Sequence, residues 1–409
     1  MADIATVDSQ VSQQGQFCLL DWMLAENFIP YAAYEDWRYG RVETLDDAFT
    51  LSSEDLLRLL QQAQQTCREL KLQQEAQTFY AWNGQQRAPL RISKDAEWHN
   101  LLAARWTSPK DAPQMDLFMD NSAAIAENQV LDALANRQFD SANEALQRLA
   151  KLNASHRKLG GYQDLINYGL HCSANTNIEQ ENLAAEFYGL DQEVAPLASE
   201  LLGNKKRDFL AFAWRRLADN LQQHAFSSAE PDLHISYAYK QIPDWQALVQ
   251  SLEKEPALFD SPILLARLAH GFLQCQQVNA FYLLWGLLFE RFPSDGERLI
   301  GQQGELLVER WDQFLAFDED WPAELFLGFL LIQQPGLVAV MDNLPVLQRV
   351  EIDNAVNRAA LNLVRARLAE KDERSEREAL KNLSPTMLSF YMNKRDWFAS
   401  LKMGGYRRR

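Results

Sequence analysis

Apolar residues recur at three-to-four spacing along most of this chain, the period that lets one face of an α-helix be buried while the other meets water. The clearest case is Leu56, Leu60, Ala63, Cys67 and Leu70, which share one face and follow Ser52, Ser53, Glu54 and Asp55, a helix start signal. Residues 17–26 and 31–39 read as two shorter amphipathic segments, separated by Pro30 and ended near Gly40. The pattern then changes. Residues 77–82 and 85–92 flank Asn83 and Gly84, a dipeptide that tolerates positive φ and suits a type I′ hairpin turn. Ser93 is expected to cap a further helix running through Trp98 and Leu102 to Trp106.

Residues 107–120 contain Pro109 and Pro113 among polar residues and break the helical period on both sides, so they read as a linker. From Asn121 onward the pattern is helix after helix. One pair runs through Val130, Leu131 and Leu134, turns over residues 136–140, and continues with Ala142, Leu146, Leu149 and Leu152. Another runs from Ile263 through Leu268 and Phe272, turns over residues 276–279, and continues with Phe281, Trp285, Leu288 and Phe292. Aligning Phe139 with Val278 places Leu146 on Trp285 and Leu149 on Leu288. Each pair carries an apolar stripe too wide to cover alone, and stacking on neighbours buries it. The expected fold is therefore mainly all-α: an irregular helical-repeat, solenoid-like body (121–350), a small N-terminal helical domain carrying one β-hairpin (1–106), the 107–120 linker, and basic C-terminal helices with a tail (351–409).

The turn of Gln138, Phe139, Asp140, Ser141 and Ala142, with Leu152 and Asn153 later, resembles the middle of a tetratricopeptide repeat, in which an aromatic and a small residue three positions on let two helices approach. The resemblance covers about one repeat. No strict 34-residue period persists, and Phe281 stands where Ala142 would call for a small residue.

Composition agrees with helix: Gly at 17 and Pro at 14 are sparse in 409 residues, and Leu, Ala, Gln and Glu are abundant. The net charge of -16 lacks the electrostatic footprint of a dedicated duplex-binding protein. Residues 351–409 are the exception, with 13 basic against 8 acidic groups and the terminal Arg407, Arg408 and Arg409. Direct nucleic-acid contact is expected only there, if anywhere. A winged-helix reading of the N-terminal helices and hairpin meets the same objection, since the segment 1–100 holds 8 basic and 15 acidic groups. Cys18, Cys67, Cys172 and Cys275 are too dispersed for a zinc ribbon or a redox pair and read as reduced core thiols. The first residues lack a basic and apolar leader, and the longest apolar run, 281–289, is half a membrane span, so the expected setting is the cytoplasm without membrane contact.

The sharpest motif is Gln114, Met115, Asp116, Leu117 and Phe118. It resembles the pentapeptide by which bacterial replication and repair proteins bind the DNA sliding clamp. The resemblance implies that Gln114 hydrogen-bonds in a small subsite, Leu117 and Phe118 fill an apolar pocket, and Met115 and Asp116 bridge them. A packing reading competes: Leu117, Phe118 and Met119 as the apolar lead-in to a helix capped by Asp120 or Asn121. The enzyme signals are weaker. The six histidines show no zinc spacing, His171 and Cys172 are neighbours that point apart on a helix, and Gly160-Gly161 and Gly301 to Gly304 read as punctuation. Asp318, Glu319 and Asp320 before Trp321 and Pro322 resemble paired carboxylates of a glycan-cleaving helical toroid, or else cap the helix that follows. The expected function is thus non-enzymatic protein binding, in its concrete form a bacterial replication or repair accessory factor on the sliding clamp, with neither cofactor nor metal. A helical-repeat scaffold without clamp contact stands second and a helical-toroid hydrolase third.

Overall fold

Helices form where the sequence supplies both a stripe to bury and groups to finish the ends. A computed structural model describes residues 16–82, 89–107, 119–301, 305–317 and 320–404, together with Val7. The protein is mainly α, with a helical body and a small β element in its N-terminal part. Ser52 caps its helix as expected, its side chain accepting from the Asp55 N–H, and Leu56, Leu60, Ala63 and Cys67 are buried.

The chain divides into two compact units: residues Met1–Ala225 with Asp232–Trp245, and Phe226–Pro231 with Gln246–Arg409. The division by packing falls near residue 245, inside the stretch read as one helical body. In the first unit come β1 (Gln16–Cys18), α1 (Leu19–Ala25), α2 (Tyr31–Arg38), α3 (Ser53–Glu69), β2 (Gln73–Ala76), α4 (Ala96–Leu102) and β3 (Ala104–Thr107). They are followed by α5 (Met119–Ala135), α6 (Phe139–Leu152), α7 (Leu159–Ala174), α8 (Leu183–Gly189), α9 (Ala195–Leu202), α10 (Lys206–Leu221) and α11 (Ile235–Gln241). One apolar core runs from Phe17 through Trp37, Leu134 and Phe209 to Ile242, so the N-terminal elements and the first body helices are packed as one.

The β element is richer than the single hairpin read from Asn83 and Gly84. Three antiparallel strands lie in the order β1-β3-β2, with Phe17 and Gln74 both opposite Trp106. Residues 17–18 and 104–106 are expected from the sequence as helix, and Thr107 as the start of the linker. Over four residues, Ala104 and Trp106 are buried and alternate with half-buried Arg105 and Thr107, a period of two too short to separate from a helix end. The expected hairpin is represented by the antiparallel bridge Tyr80 to Pro89, the Leu90 N–H donating to the Phe79 carbonyl at 2.8 Å; its turn lies outside the described residues. Asp95, not Ser93, caps α4 by accepting from the Glu97 and Trp98 N–H groups, while Ser93 is buried and its hydroxyl accepts from the Asp95 N–H.

The second unit holds most of α12 (Trp245–Glu253), then α13 (Pro262–Gln274), α14 (Val278–Arg291), α15 (Pro293–Ile300), α16 (Glu305–Phe317), α17 (Phe326–Gln333), α18 (Gly336–Asn343), α19 (Ala355–Leu368), α20 (Arg374–Leu383) and α21 (Pro385–Gly404). Helix α14 is buried on every side from Ala280 to Glu290, as its apolar run 281–289 requires, and the buried Glu290 carboxylate accepts from the Asn354 N–H at 2.8 Å. No single helix among the described residues is long and apolar enough to cross a membrane.

The two helix pairs aligned in the sequence close their turns the same way. Arg137 and Gln276 have φ of 59° and 60°. In each, that residue's N–H donates three residues back, to the carbonyls of Leu134 and Leu273. The next N–H donates five back at 2.8 Å, to those of Ala133 and Phe272. This is the Schellman C-cap.

Candidate functional site

Helix α2 carries Tyr31, Tyr34 and Arg38 at spacings of three and four, so an arginine shares a face with aromatic residues bound for the core. Burying a guanidinium demands partners for its charge and its N–H groups. Arg38 is only 2% exposed. Its Nη1 donates at 2.7 Å to the Tyr34 hydroxyl and at 2.7 Å to Asp208 Oδ2 on α10, and its Nη2 donates to Asn136 Oδ1 on the α5–α6 turn at 2.8 Å. The Tyr34 hydroxyl donates in turn to the Asp208 carboxylate at 3.0 Å.

Trp82 lies under two guanidinium groups, that of Arg38 at 4.6 Å and that of Arg137 at 3.4 Å from its ring centre, a cation–π arrangement. Arg137 owes this position to its left-handed backbone, and it also donates to the Asp208 backbone carbonyl and the Tyr39 hydroxyl. Beside Asp208, Arg207 pairs with Asp21 of α1 at 2.6 Å. Burial works against the charge on Arg38, but Tyr34 and Asp208 outweigh it and lift its pKa above the ordinary value; burial pushes the Tyr34 hydroxyl up. Both therefore keep their protons at neutral pH.

Three members of this network, Arg38, Asn136 and Asp208, line a cleft of about 300 Å³. Arg38, Arg105, Lys205, Asp132 and Asp208 are its charged lining among the described residues, and the segment from Ala76 to Tyr80 lies along it. Five separate elements bring these groups together. Convergence of polar side chains on a concave site is the general mark of a binding site. The sequence reading missed it: an arginine on an aromatic face at 31, 34 and 38 was the one local signal, and its partners lie 98 to 170 residues away.

Gln114, Met115, Asp116, Leu117 and Phe118 lie outside the described residues, between β3 and α5. So do Asp318 and Glu319, and Arg407 to Arg409. Trp321 beside the acidic pair is buried among Phe314, Phe317 and Phe390 and donates its indole N–H to Thr386 at 2.8 Å. His171 and Cys172, expected to point apart, both reach one ion pair: His171 meets Glu186 at 3.2 Å, and Arg216 donates to the Glu186 carboxylate at 2.9 Å and to the Cys172 sulfur, whose thiol pKa burial foremost raises. All four cysteines are free. In the basic C-terminal region, Arg365 pairs with Asp342 and Arg377 with Glu373, so part of its positive charge is spent within the protein. Phe139, the aromatic of the tetratricopeptide-like turn, packs against Gly169 of α7 so closely that a Cβ there would sit 2.3 Å from its ring.

Comparison with known proteins gives no matching family model, no matching curated protein and no matching solved structure.

Proposed function

We propose that this chain acts by binding another protein, in the concrete form of a bacterial replication or repair accessory factor that engages the sliding clamp through Gln114, Met115, Asp116, Leu117 and Phe118. The observation that carries this reading is the pentapeptide itself, whose five positions agree with the clamp-binding pattern when Met stands for an aliphatic residue. Its setting supports it: the segment joins β3, held in the sheet, to α5, packed on α6, so both of its ends are anchored on formed elements. A linear peptide of this kind draws its affinity from two apolar anchors, each worth about 1.5–3 kcal/mol on burial. Titration of purified clamp against the wild type and the Leu117→Ala, Phe118→Ala double variant tests it. Measurable binding by the wild type and its loss in the variant are expected; equal binding by both, or binding by neither while both are folded, makes the motif a coincidence.

A second reading, a helical scaffold without clamp contact, rests on a different observation. Two concavities, of about 580 and about 680 Å³, adjoin along α18 and α19 and share Asp342, Asn362 and Arg365. Helical arrays present extended partners with such surfaces. Under this reading Arg365→Glu, and not the double variant, abolishes association with partners drawn from a host lysate.

A further inference from the structure

We propose that the cleft over Arg38 binds one carboxylate group, carried by a small organic acid or by the free C-terminus of a peptide. The site lies apart from the pentapeptide, and the proposal stands independently of it.

The cations around the cleft are unequal in their commitments. Arg38 is buried with both Nη atoms hydrogen-bonded within the protein, while its Nε has no hydrogen-bond partner among the described residues. It supplies fixed positive charge from below. Lys205 and Arg105 are the groups able to reach a ligand. Lys205 pairs with Asp132, but Lys205 is 22% exposed and Asp132 63%, so the ammonium sits inward and its carboxylate at the rim. Arg105 pairs at 2.5 Å with Glu75, which is not among the lining residues, and its Nε also lacks a partner among the described residues. Ion pairs of this solvent-exposed kind contribute about 0–1 kcal/mol, so a ligand oxyanion exchanges with the rim carboxylates at little cost.

Charge decides which oxyanion fits. The lining and its immediate partners hold four cations, Arg38, Arg105, Lys205 and Arg137, and three carboxylates, Asp132, Asp208 and Glu75, among the described residues, while Arg207 beside Asp208 is offset by Asp21. One positive charge is left over. A monocarboxylate neutralises it, whereas a phosphate dianion overshoots and meets Asp132 and Asp208 at close range. The planar Arg105 guanidinium can meet a carboxylate edge to edge. The volume lies at the lower end of the range for ligand pockets, which suits a small acid or a chain end rather than a nucleotide.

The test is calorimetric titration of the full-length protein with N-acetylglycine, an acetylated tetrapeptide with a free C-terminus, its C-terminal amide, and inorganic phosphate, at constant ionic strength. N-acetylglycine is expected to bind and the amide to bind at least ~10-fold more weakly than the free peptide. Lys205→Ala and Arg105→Ala, each checked for an unchanged melting temperature, are expected to weaken binding about 10-fold, each removing one charge-assisted hydrogen bond. Arg41→Ala, an exposed cation off the cleft, leaves it unchanged. A tetrapeptide that outbinds N-acetylglycine about 10-fold or more identifies a peptide end as the source; equal affinities identify a small acid. The proposal is overturned by no heat from N-acetylglycine or the free peptide up to about 10 mM, beyond the millimolar range of the weakest specific sites. Binding indifferent to both variants, or phosphate binding as tightly as N-acetylglycine, overturns it equally.

Discussion

Arg38 and Asp208 form a pair whose removal by halves costs more than its removal whole. Arg38→Met leaves the Asp208 carboxylate, only 13% exposed, with Tyr34 and a more distant Arg207 for company. Breaking a buried pair from one side typically destabilises by about 3–5 kcal/mol. Urea unfolding should report a loss of that order for Arg38→Met, and the double variant Arg38→Met, Asp208→Leu should recover most of it. Strict additivity of the two single losses would show that the residues are not coupled. Glu127 makes a second prediction at this scale. Burial works against its ionised form, but the Tyr162 hydroxyl donating at 2.6 Å and the charges of Lys158 and His156 outweigh burial and hold its pKa below the ordinary 4.5. A carboxylate so depressed contributes stability that is present above its ordinary pKa and is lost as the pH falls through the lowered one. Glu127→Gln should therefore cost about 1 kcal/mol at neutral pH. The gap from wild type should close as the solution is acidified past pH 4.5; a gap that persists in acid would assign the loss to packing.

Among the elements, the turns between helices offer stability the sequence has left unclaimed. Gln276, Glu370 and Lys71 are exposed residues held at φ near 55–60°, each ending a helix with the same pair of backbone bonds. Side chains other than glycine resist that conformation. Gln276→Gly and Glu370→Gly should each raise stability by about 0.5–1 kcal/mol in denaturant unfolding. The opposite sign is expected at Gly286, where a Cβ would come within 2.8 Å of the Leu327 side chain and 3.2 Å of its backbone. Gly286→Ala should force α14 and α17 apart at a cost of about 1–3 kcal/mol. These elements also show how far sequence reading reaches. The cap at Ser52, the helix after Pro30 and both helix pairs were legible because their signals are local. The strands were not: β1 and β3 are three and four residues long, β1 owes its state to pairing with β3 across 89 positions, and β3 to lying between β1 and β2. The Arg38 cleft escaped for the same reason, since Asn136, Lys205 and Asp208 become neighbours of α2 only after α5 and α10 have packed.

For the molecule as a whole, two cores imply two cooperative units joined by a chain that passes between them at three points: 225–226, 231–232 and 245–246. Residues 1–245 hold everything the first core needs, including Leu233, Ala238 and Ile242. As a fragment they should fold with the helical circular dichroism and single unfolding transition of one domain. Residues 246–409 alone lack the 226–231 strap, whose Pro231 carbonyl receives the buried Arg267 at 3.4 Å. That fragment should melt below the corresponding transition of the intact chain.

The same crossing has a consequence for synthesis. A chain emerging from the ribosome offers its N-terminal domain first, and that domain folds while the rest is still being made. Here the strap at 226–231 emerges before the last helix of the first unit, at 235–241, and well before any of the residues that will hold it. For a time it is a loop without its final contacts, and a pause in translation between residues 231 and 246 would lengthen that exposure. Codon choice in that short window should affect the yield of soluble protein more than the same changes made within 246–300.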